Sequence, residues 1–338
     1  MSFEIAPVHN GRLFHQLQNK LEQRLGKGIS NSPIGKVAIQ AGLVNRTANP
    51  VLKKPALLIF AADHGITHTF RDRTLRAEGG DTSSRVLHFL EGDSPLNRMC
   101  REQKITLRVV DLGVDHHFEN LLSYWLHHGS RHINRKVGFG TQNFSHVPAM
   151  TTAQCHEAFD AGAELVDQER KSGSNVLIFG ALGDGNTFSA IALMAALLEL
   201  KPRQVSLNKQ DKEIIFKALR KHPKTHDPFM LLTLFGGYEI AAITGAFLQA
   251  AEYRMLILVD GLVTATALLV AAAINARVVE YVVFSDTMKD DLNYSQLLKH
   301  FQKEALLQTG ISTGDGTAAV LAYPLIRSAI GFLQNTRF

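Results

Sequence analysis

Five short apolar runs recur along the chain, and each gives way to aspartate, glycine or serine. Their content of Val, Ile, Leu, Phe and Ala is typical of strands covered on both faces of a parallel sheet. Helical patterns separate most of them, so the sequence predicts an α/β fold with a doubly wound, mainly parallel, Rossmann-like sheet. Ligands bind such sheets beyond the carboxyl ends of the strands. The runs are Leu57–Ala62, Ile105–Val110, Val176–Phe179, Leu256–Val259 and Val278–Phe284.

The third run leads into a glycine-rich turn and then an Ala/Leu/Met-rich helix over Ile191–Leu200. Glycine permits positive φ and a close approach of the backbone to a ligand, and a helix start attracts phosphate through its free N–H groups. Asn186 or Thr187 is expected to cap the helix. The alternative is a strand-to-helix connection that binds nothing. The turn carries Gly180, Gly183 and Gly185.

The remaining pattern predicts two units. Residues 45–300 form the α/β domain, and residues 1–44 together with 301–338 form a small helical domain. Leucines four residues apart indicate a first helix over 3–26, and a second is expected over Ile34–Leu43. The turn Thr313-Gly314-Asp315-Gly316-Thr317 opens a helix that runs towards Phe332.

Composition excludes several classes of protein. The 338 residues have a formal net charge of +5, with Lys and Arg spread along the chain, so no nucleic-acid partner is expected. The apolar stretch Leu256–Ile274 contains Asp260 and Gly261 and predicts strand, turn and helix rather than a membrane span. Two cysteines and an N-terminus without an apolar signal region favour a cytoplasmic protein.

Familiar catalytic motifs are absent from the sequence. His64 and His68 are four residues apart, but no Glu follows His64 as in zinc proteases, so no metal is expected. There is no phosphate-binding Walker motif, no dinucleotide fingerprint and no nucleophilic serine elbow, and no cofactor is predicted. Asp63 and Asp111 are either ribose-binding carboxylates or braces of a turn. Asp315 is either a functional carboxylate or the acceptor of a local Asx-turn.

Taken in order, the motifs resemble those of the nicotinate-nucleotide–dimethylbenzimidazole phosphoribosyltransferase family, over about residue 10 to the end. The segments that carry the resemblance are Ala61-Ala62-Asp63-His64-Gly65, Val110-Asp111-Leu112-Gly113, Gly140-Thr141-Gln142-Asn143-Phe144, Pro148-Ala149-Met150-Thr151, Gly183-Asp184-Gly185-Asn186-Thr187, Gly236-Gly237-Tyr238-Glu239-Ile240-Ala241-Ala242, Asp260-Gly261 and Gly314-Asp315-Gly316-Thr317.

The resemblance implies transfer of phosphoribose from nicotinate mononucleotide to 5,6-dimethylbenzimidazole or a related aromatic base, in a homodimer. It implies that Asp315 is the general base that takes the proton of the incoming base. On the acceptor side it implies Asp63, Ser84 and Gly314. The phosphate and ribose residues that it implies are Gly183, Asp184, Gly185, Asn186, Thr187, Gly261, Ser285 and Lys212.

The sequence departs from the family pattern on the side that handles the base. The family has Glu where this chain has Asp315, and another Glu where it has Ala181; Ser84 aligns with a family Gln. The phosphate-binding lysine aligns with either Lys209 or Lys212. Three hypotheses follow: the family reaction with Asp315 as the base, a different aromatic acceptor, or a relative that binds a nucleotide without turnover.

Overall fold

The computed structural model describes residues 3–69, 81–118, 131–287, 291–311 and 313–334. Among these, six strands form one sheet and α-helices surround it. The strands are β1 (Ala56–Ala62), β2 (Thr106–Gly113), β3 (Arg131–Asn134), β4 (Val176–Leu182), β5 (Leu256–Val259) and β6 (Val282–Phe284). The helices are α1 (Gly11–Leu25), α2 (Pro33–Val44), α3 (Thr82–Glu91), α4 (Pro95–Gln103), α5 (Thr152–Lys171), α6 (Asn186–Leu197), α7 (Lys209–Lys221), α8 (Pro228–Phe235), α9 (Tyr238–Glu252), α10 (Gly261–Ile274), α11 (Leu292–Phe301) and α12 (Thr317–Gly331).

Every strand pairing in the sheet is parallel, and the strand order is β3-β2-β1-β4-β5-β6. Every residue of β1 and of β4 is buried, so helices cover both faces of the sheet. The predicted doubly wound α/β fold is therefore confirmed. The chain reverses its winding direction between β1 and β4, and such a switch point leaves a crevice at the carboxyl edge.

The sequence prediction needs two corrections, both at the edges of the sheet. The run Val278–Phe284 is not one strand, because Ala276–Tyr281 forms a 3-10 helix and only Val282–Phe284 pairs with β5. The short strand β3 was not predicted at all. Its sequence, Arg-His-Ile-Asn, lacks an apolar run because it lies at the edge of the sheet.

Helices at the centre of the fold are buried on all sides. α9 packs along α5 so closely that a Cβ on Gly162 would lie 1.8 Å from the Ala242 carbonyl oxygen, and one on Gly245 would lie 2.1 Å from that of Phe159. Only glycine allows this approach. Because the N-terminus of α9 points to the carboxyl edge of the sheet, this packing fixes Glu239 beside the end of β1.

Helices from the two ends of the chain contact each other. α2 packs against both α1 and α12, and α12 also packs against α4. The first helix begins at Gly11 rather than at residue 3, with Asn10 as its N-cap. Whether residues 1–44 and 301–338 form a separate domain stays a prediction.

Candidate functional site at the carboxyl edge of the sheet

The glycine-rich turn follows β4 and starts α6. A Cβ on Gly183 would lie 2.0 Å from the Ala62 carbonyl oxygen, so the turn and the end of β1 are in close contact. Gly185 has φ +87° and is the N-cap of α6, with no side chain capping the helix. Asn186 and Thr187 are the first helical residues, so the prediction that one of them is the cap was wrong. The N–H groups of Asn186 and Phe188 already donate to the Gly183 and Gly185 carbonyls, so the attraction of this helix start for an anion comes mainly from the positive end of the helix dipole.

Asp63 fastens three strand ends together. Its Oδ1 accepts hydrogen bonds from the Thr82 hydroxyl (2.5 Å) and from the backbone N–H of Asp184 (3.2 Å). Its Oδ2 accepts from the backbone N–H of Asp115 at 2.7 Å. The same Asp184 N–H also donates to Thr82 Oγ1 at 3.0 Å. Asp63 therefore braces the ends of β1, β2 and β4.

A cavity of about 220 Å³ opens beside this brace. Its walls include four carboxylate residues and the half-exposed ring of Phe139, which also contacts the His117 ring at 4.4 Å between centroids. The residues lining it are Asp63, His64, Gly65, Thr67, His68, Asp81, Thr82, Ser83, Asp115, Phe139, Gly140, Thr141 and Asp184.

Asp315 lies in the turn that precedes α12. Within the described part of the chain, its hydrogen bonds fall on Oδ1, which accepts from the hydroxyls of Thr313 (2.7 Å) and Thr317 (2.6 Å) and from the Thr317 N–H (3.0 Å). A Cβ on Gly180 would lie 2.2 Å from the Asp315 carbonyl oxygen. The Gly314 carbonyl accepts the Ala181 N–H at 2.9 Å. The turn is thus docked on β4, just before the glycine-rich turn.

Asp260 and Gly261 lie on the other side of that docked turn. Gly261 has φ +85° and starts α10, and a Cβ there would lie 2.7 Å from Gly314 Cα. Asp260 Oδ2 accepts the backbone N–H groups of Gly316 and Ala318, both at 3.1 Å. Asp260 is 1% exposed. Burial, with the nearby charge of Asp315 second, raises the pKa of Asp260 to about 7.

Ser285 follows β6 and is fully buried. Its hydroxyl donates to the Val259 carbonyl at 2.6 Å and so ties the ends of β5 and β6 together. The next residue, Asp286, accepts the backbone N–H groups of Thr287 and Thr309. In this structure the Ser285 hydroxyl therefore stabilises the carboxyl edge of the sheet, beside Asp260.

Helix α3 carries Ser84 and Arg85 in its first turn. Ser84 is exposed, and its N–H donates to Asp81 Oδ1 at 2.8 Å. The neighbouring Arg85 lies within electrostatic range of Asp315 and Asp184. Desolvation lowers the pKa of Arg85, and those two carboxylates oppose the shift. The sequence prediction named Ser84 and missed Arg85, a cation whose charge acts on both turns.

A buried network at the end of β1 was also missed. His64 Nε2 donates to Glu239 Oε1 at 2.7 Å, and His64 Nδ1 is hydrogen-bonded to Ser189 Oγ at 2.8 Å. The side chains of His64 and Glu239 are fully buried. The network connects β1 with the first turns of α6 and α9. Because this network is buried, we interpret it as a structural support of the site rather than as a source of a nucleophile.

Lys212 lies in a different groove, of about 860 Å³, between α11 and the segment that follows α6. Among the residues that the structure describes, the groove is also lined by the basic side chains of Arg203, Lys299 and His300 and by no acidic side chain. Neither the glycine-rich turn nor the Asp315 turn is among the lining residues. The structure thus does not bring Lys212 together with the other phosphate residues that the sequence predicted.

The described residues contain no group of three or more His, Cys, Asp or Glu side chains arranged to hold a metal ion. In the same part of the chain, no helix is both long and apolar enough to cross a bilayer. Cys100 and Cys155 are buried thiols outside any disulfide, and burial raises their pKa values to about 12 and about 11.

Comparisons with known proteins identify the family. A family described as phosphoribosyltransferase (DBI_PRT) matches residues 7–338. The chain is 38% identical to the nicotinate-nucleotide–dimethylbenzimidazole phosphoribosyltransferase of Ralstonia nicotianae, over 88% of this chain and 84% of that protein. It is 34% identical to the protein of the same name from a Janthinobacterium species, over 98% and 95%.

A solved structure gives the same result. The crystal structure of the nicotinate-nucleotide–dimethylbenzimidazole phosphoribosyltransferase from Thermus thermophilus superimposes with a TM-score of 0.83 at 26% identity, covering 96% of both chains. Sequence and fold agree along nearly the whole length. The chain therefore belongs to the nicotinate-nucleotide–dimethylbenzimidazole phosphoribosyltransferase family.

Proposed function

We propose that this protein transfers phosphoribose from nicotinate mononucleotide to 5,6-dimethylbenzimidazole, giving α-ribazole phosphate and nicotinate. Membership of the family along nearly the whole chain supports the reaction. The observation that supports the site is the closeness of the two turns on β4: the Gly314 carbonyl accepts the Ala181 N–H at 2.9 Å, two residues before Gly183 in the glycine-rich turn.

The chemistry has one bond to break and one to form. The glycosidic bond from C1′ to the pyridinium nitrogen breaks, and its electron pair neutralises that ring nitrogen as nicotinate leaves. A lone pair of the benzimidazole nitrogen forms the new bond to C1′ from the opposite face, so the configuration inverts. The transition state has oxocarbenium character. The other benzimidazole nitrogen loses its proton to the Asp315 carboxylate, which acts as general base.

We place the phosphate at the uncapped start of α6. The helix dipole there attracts an anion, and no side chain caps the helix start. We assign the residues from Gly183 to Thr187, together with Gly261, to the phosphate and ribose, as the family resemblance implies, and Ser285 supports the neighbouring strand ends. On the same ground we assign Asp63, Gly314 and the exposed Ser84 to the acceptor side.

The experiment combines the protein with nicotinate mononucleotide and 5,6-dimethylbenzimidazole and follows the release of nicotinate. Asp315→Asn should lower kcat by about 10²–10⁴, the usual contribution of a general base. Asp227→Asn is the matched control, because Asp227 is an exposed cap of α8 far along the chain from these turns. Full activity of Asp315→Asn would rule out Asp315 as the general base. Binding of nicotinate mononucleotide with no product from any acceptor would rule out the proposed transferase activity.

Two further features belong to this proposal. We expect a homodimer, supported by an outward row of apolar side chains on the last helix: Leu321, Leu325 and Phe332 are each about two-fifths exposed. Light scattering after size exclusion measures this directly, and a monomer at micromolar concentration would exclude it. We also expect a cytoplasmic protein, in keeping with two buried free thiols.

A further inference from the structure

Asp260, at the end of β5, is hydrogen-bonded to the turn that carries Asp315. Of these two carboxylates, only Asp315 has a proposed chemical role. Asp260 Oδ2 accepts the N–H groups of Gly316 and Ala318, the residues on either side of Thr317. Among the described residues, its other oxygen, Oδ1, is buried and has no hydrogen-bond partner. An ionised carboxylate with one such oxygen is costly to bury, whereas a protonated one is far less so.

These contacts control the orientation of Asp315. The turn that carries it is attached at one end to β4, where the Gly314 carbonyl accepts the Ala181 N–H. Asp260 attaches the other end. Asp315 Oδ1 accepts the Thr317 N–H, which lies between the two N–H groups that Asp260 binds. A shift of this backbone would therefore move the Asp315 carboxylate itself.

The charges around Asp260 favour its protonated form. Asp315 faces it from the turn before α12, Asp286 faces it from the end of β6, and the buried Tyr294 hydroxyl faces it from α11. Burial comes first among the causes that raise the pKa of Asp260 to about 7, and the two backbone N–H groups only partly oppose it. Arg85, the nearby cation, lies within electrostatic range of Asp315.

We propose that Asp260 is a positioning residue for the reaction: its carboxyl group holds the backbone around Thr317 and so directs the Asp315 carboxylate towards the acceptor base. This rests on the proposed function, in which Asp315 is the base. It assigns to Asp260 a role without contact to substrate.

The test compares two variants with opposite expectations. Asp260→Asn keeps an oxygen for both N–H groups and cannot ionise, so kcat at pH 6.5 should stay within about threefold of wild type. Asp260→Ala removes the acceptor, and kcat should fall at least about tenfold with KM for nicotinate mononucleotide changed less than about threefold.

A second measurement does not depend on turnover. Amide hydrogen exchange of Gly316 and Ala318 should remain slow in Asp260→Asn and become faster in Asp260→Ala. Asp227→Ala, which removes a capping carboxylate from α8, should leave both kcat and these amides unchanged.

Each contrary result has a distinct meaning. Wild-type kcat in Asp260→Ala, or loss of activity in Asp260→Asn equal to that in the alanine variant, would overturn the proposal. So would a raised KM with unchanged kcat, since that places Asp260 in nucleotide binding. If the alanine variant does not fold, fast exchange of the Gly316 and Ala318 amides in wild type overturns it. Absence of nicotinate release by wild type rejects the proposed function instead, and the exchange of the two amides still decides whether Asp260 holds the turn.

Discussion

Replacing His64 with alanine should destabilise the fold more than replacing any exposed histidine of the same loop. His64 is fully buried and hydrogen-bonded through both ring nitrogens, to Ser189 and to Glu239. Its removal leaves the Glu239 carboxylate buried without its partner, and among the described residues Oε2 of that carboxylate already lacks one.

The size of the effect follows from that uncompensated group. Removing one partner of a buried, hydrogen-bonded pair costs about 3–5 kcal/mol of unfolding free energy. Because unfolding entropy is about 2.1 cal/mol/K per residue, a chain of 338 residues should lose about 4–7 °C in Tm. Glu239→Gln keeps an amide oxygen for the Nε2–H of His64 and should cost only about 1 kcal/mol.

Scanning calorimetry and urea unfolding provide the measurement. His68→Ala is the matched control, because His68 is exposed four residues further along the same loop. Combining His64→Ala with Glu239→Ala should cost less than the sum of the two single variants, since the orphaned carboxylate is gone. Equal Tm values for His64→Ala and His68→Ala would refute the reasoning, as would strict additivity in the double variant.

Three other predictions concern the two turns. Gly183→Ala places a methyl group 2.0 Å from the Ala62 carbonyl oxygen, so it should displace the turn and abolish calorimetric binding of nicotinate mononucleotide; unchanged affinity would contradict this. Asp260 binds a proton in the folded state up to about pH 7. As the pH rises from about 4 to about 7, the free energy of unfolding of wild type should therefore fall by on the order of 4 kcal/mol relative to that of Asp260→Asn. If urea unfolding gives the two proteins parallel plots of stability against pH, this is excluded. Arg85→Ala removes a positive charge that acts on Asp315 and Asp184 and should lower kcat/KM by about tenfold, whereas Arg85→Lys keeps the charge and should recover part of the loss. Equal kinetics in all three proteins would disprove this.

The sequence predicted the architecture well because strands that are buried on both faces appear in it as continuous apolar runs. β1 and β4 are buried on both faces and therefore contain uninterrupted apolar residues. The two errors in the predicted strands, at β3 and β6, lie at the edges of the sheet, where the apolar pattern is weaker. β3 pairs on one side only. Val278 and Tyr281 are buried because they pack on the core from a 3-10 helix, not because they belong to a strand.

The site was less accessible to sequence reasoning, because its contacts join distant segments. His64 meets partners 125 and 175 residues away. Nothing in the local sequence around Arg85 indicates that its charge acts on Asp315. The family resemblance pointed to Asp315 but not to Asp260 as a partner, since their proximity arises from the end of β5 and the start of α12 lying side by side.

The length difference between β4 and β5 explains why the Asp315 turn lies where it does. β5 pairs with β4 only as far as Phe179, although β4 continues to Leu182. The vacated edge of β4 is then used by the Asp315 turn, through the bond from Ala181 N–H to the Gly314 carbonyl. Gly180 is needed for this backbone contact, because any side chain there would meet the Asp315 carbonyl. A glycine interpreted from sequence as making room for a ligand thus makes room for the backbone of the residue proposed as the base, and Gly180→Ala should impair catalysis by displacing Asp315.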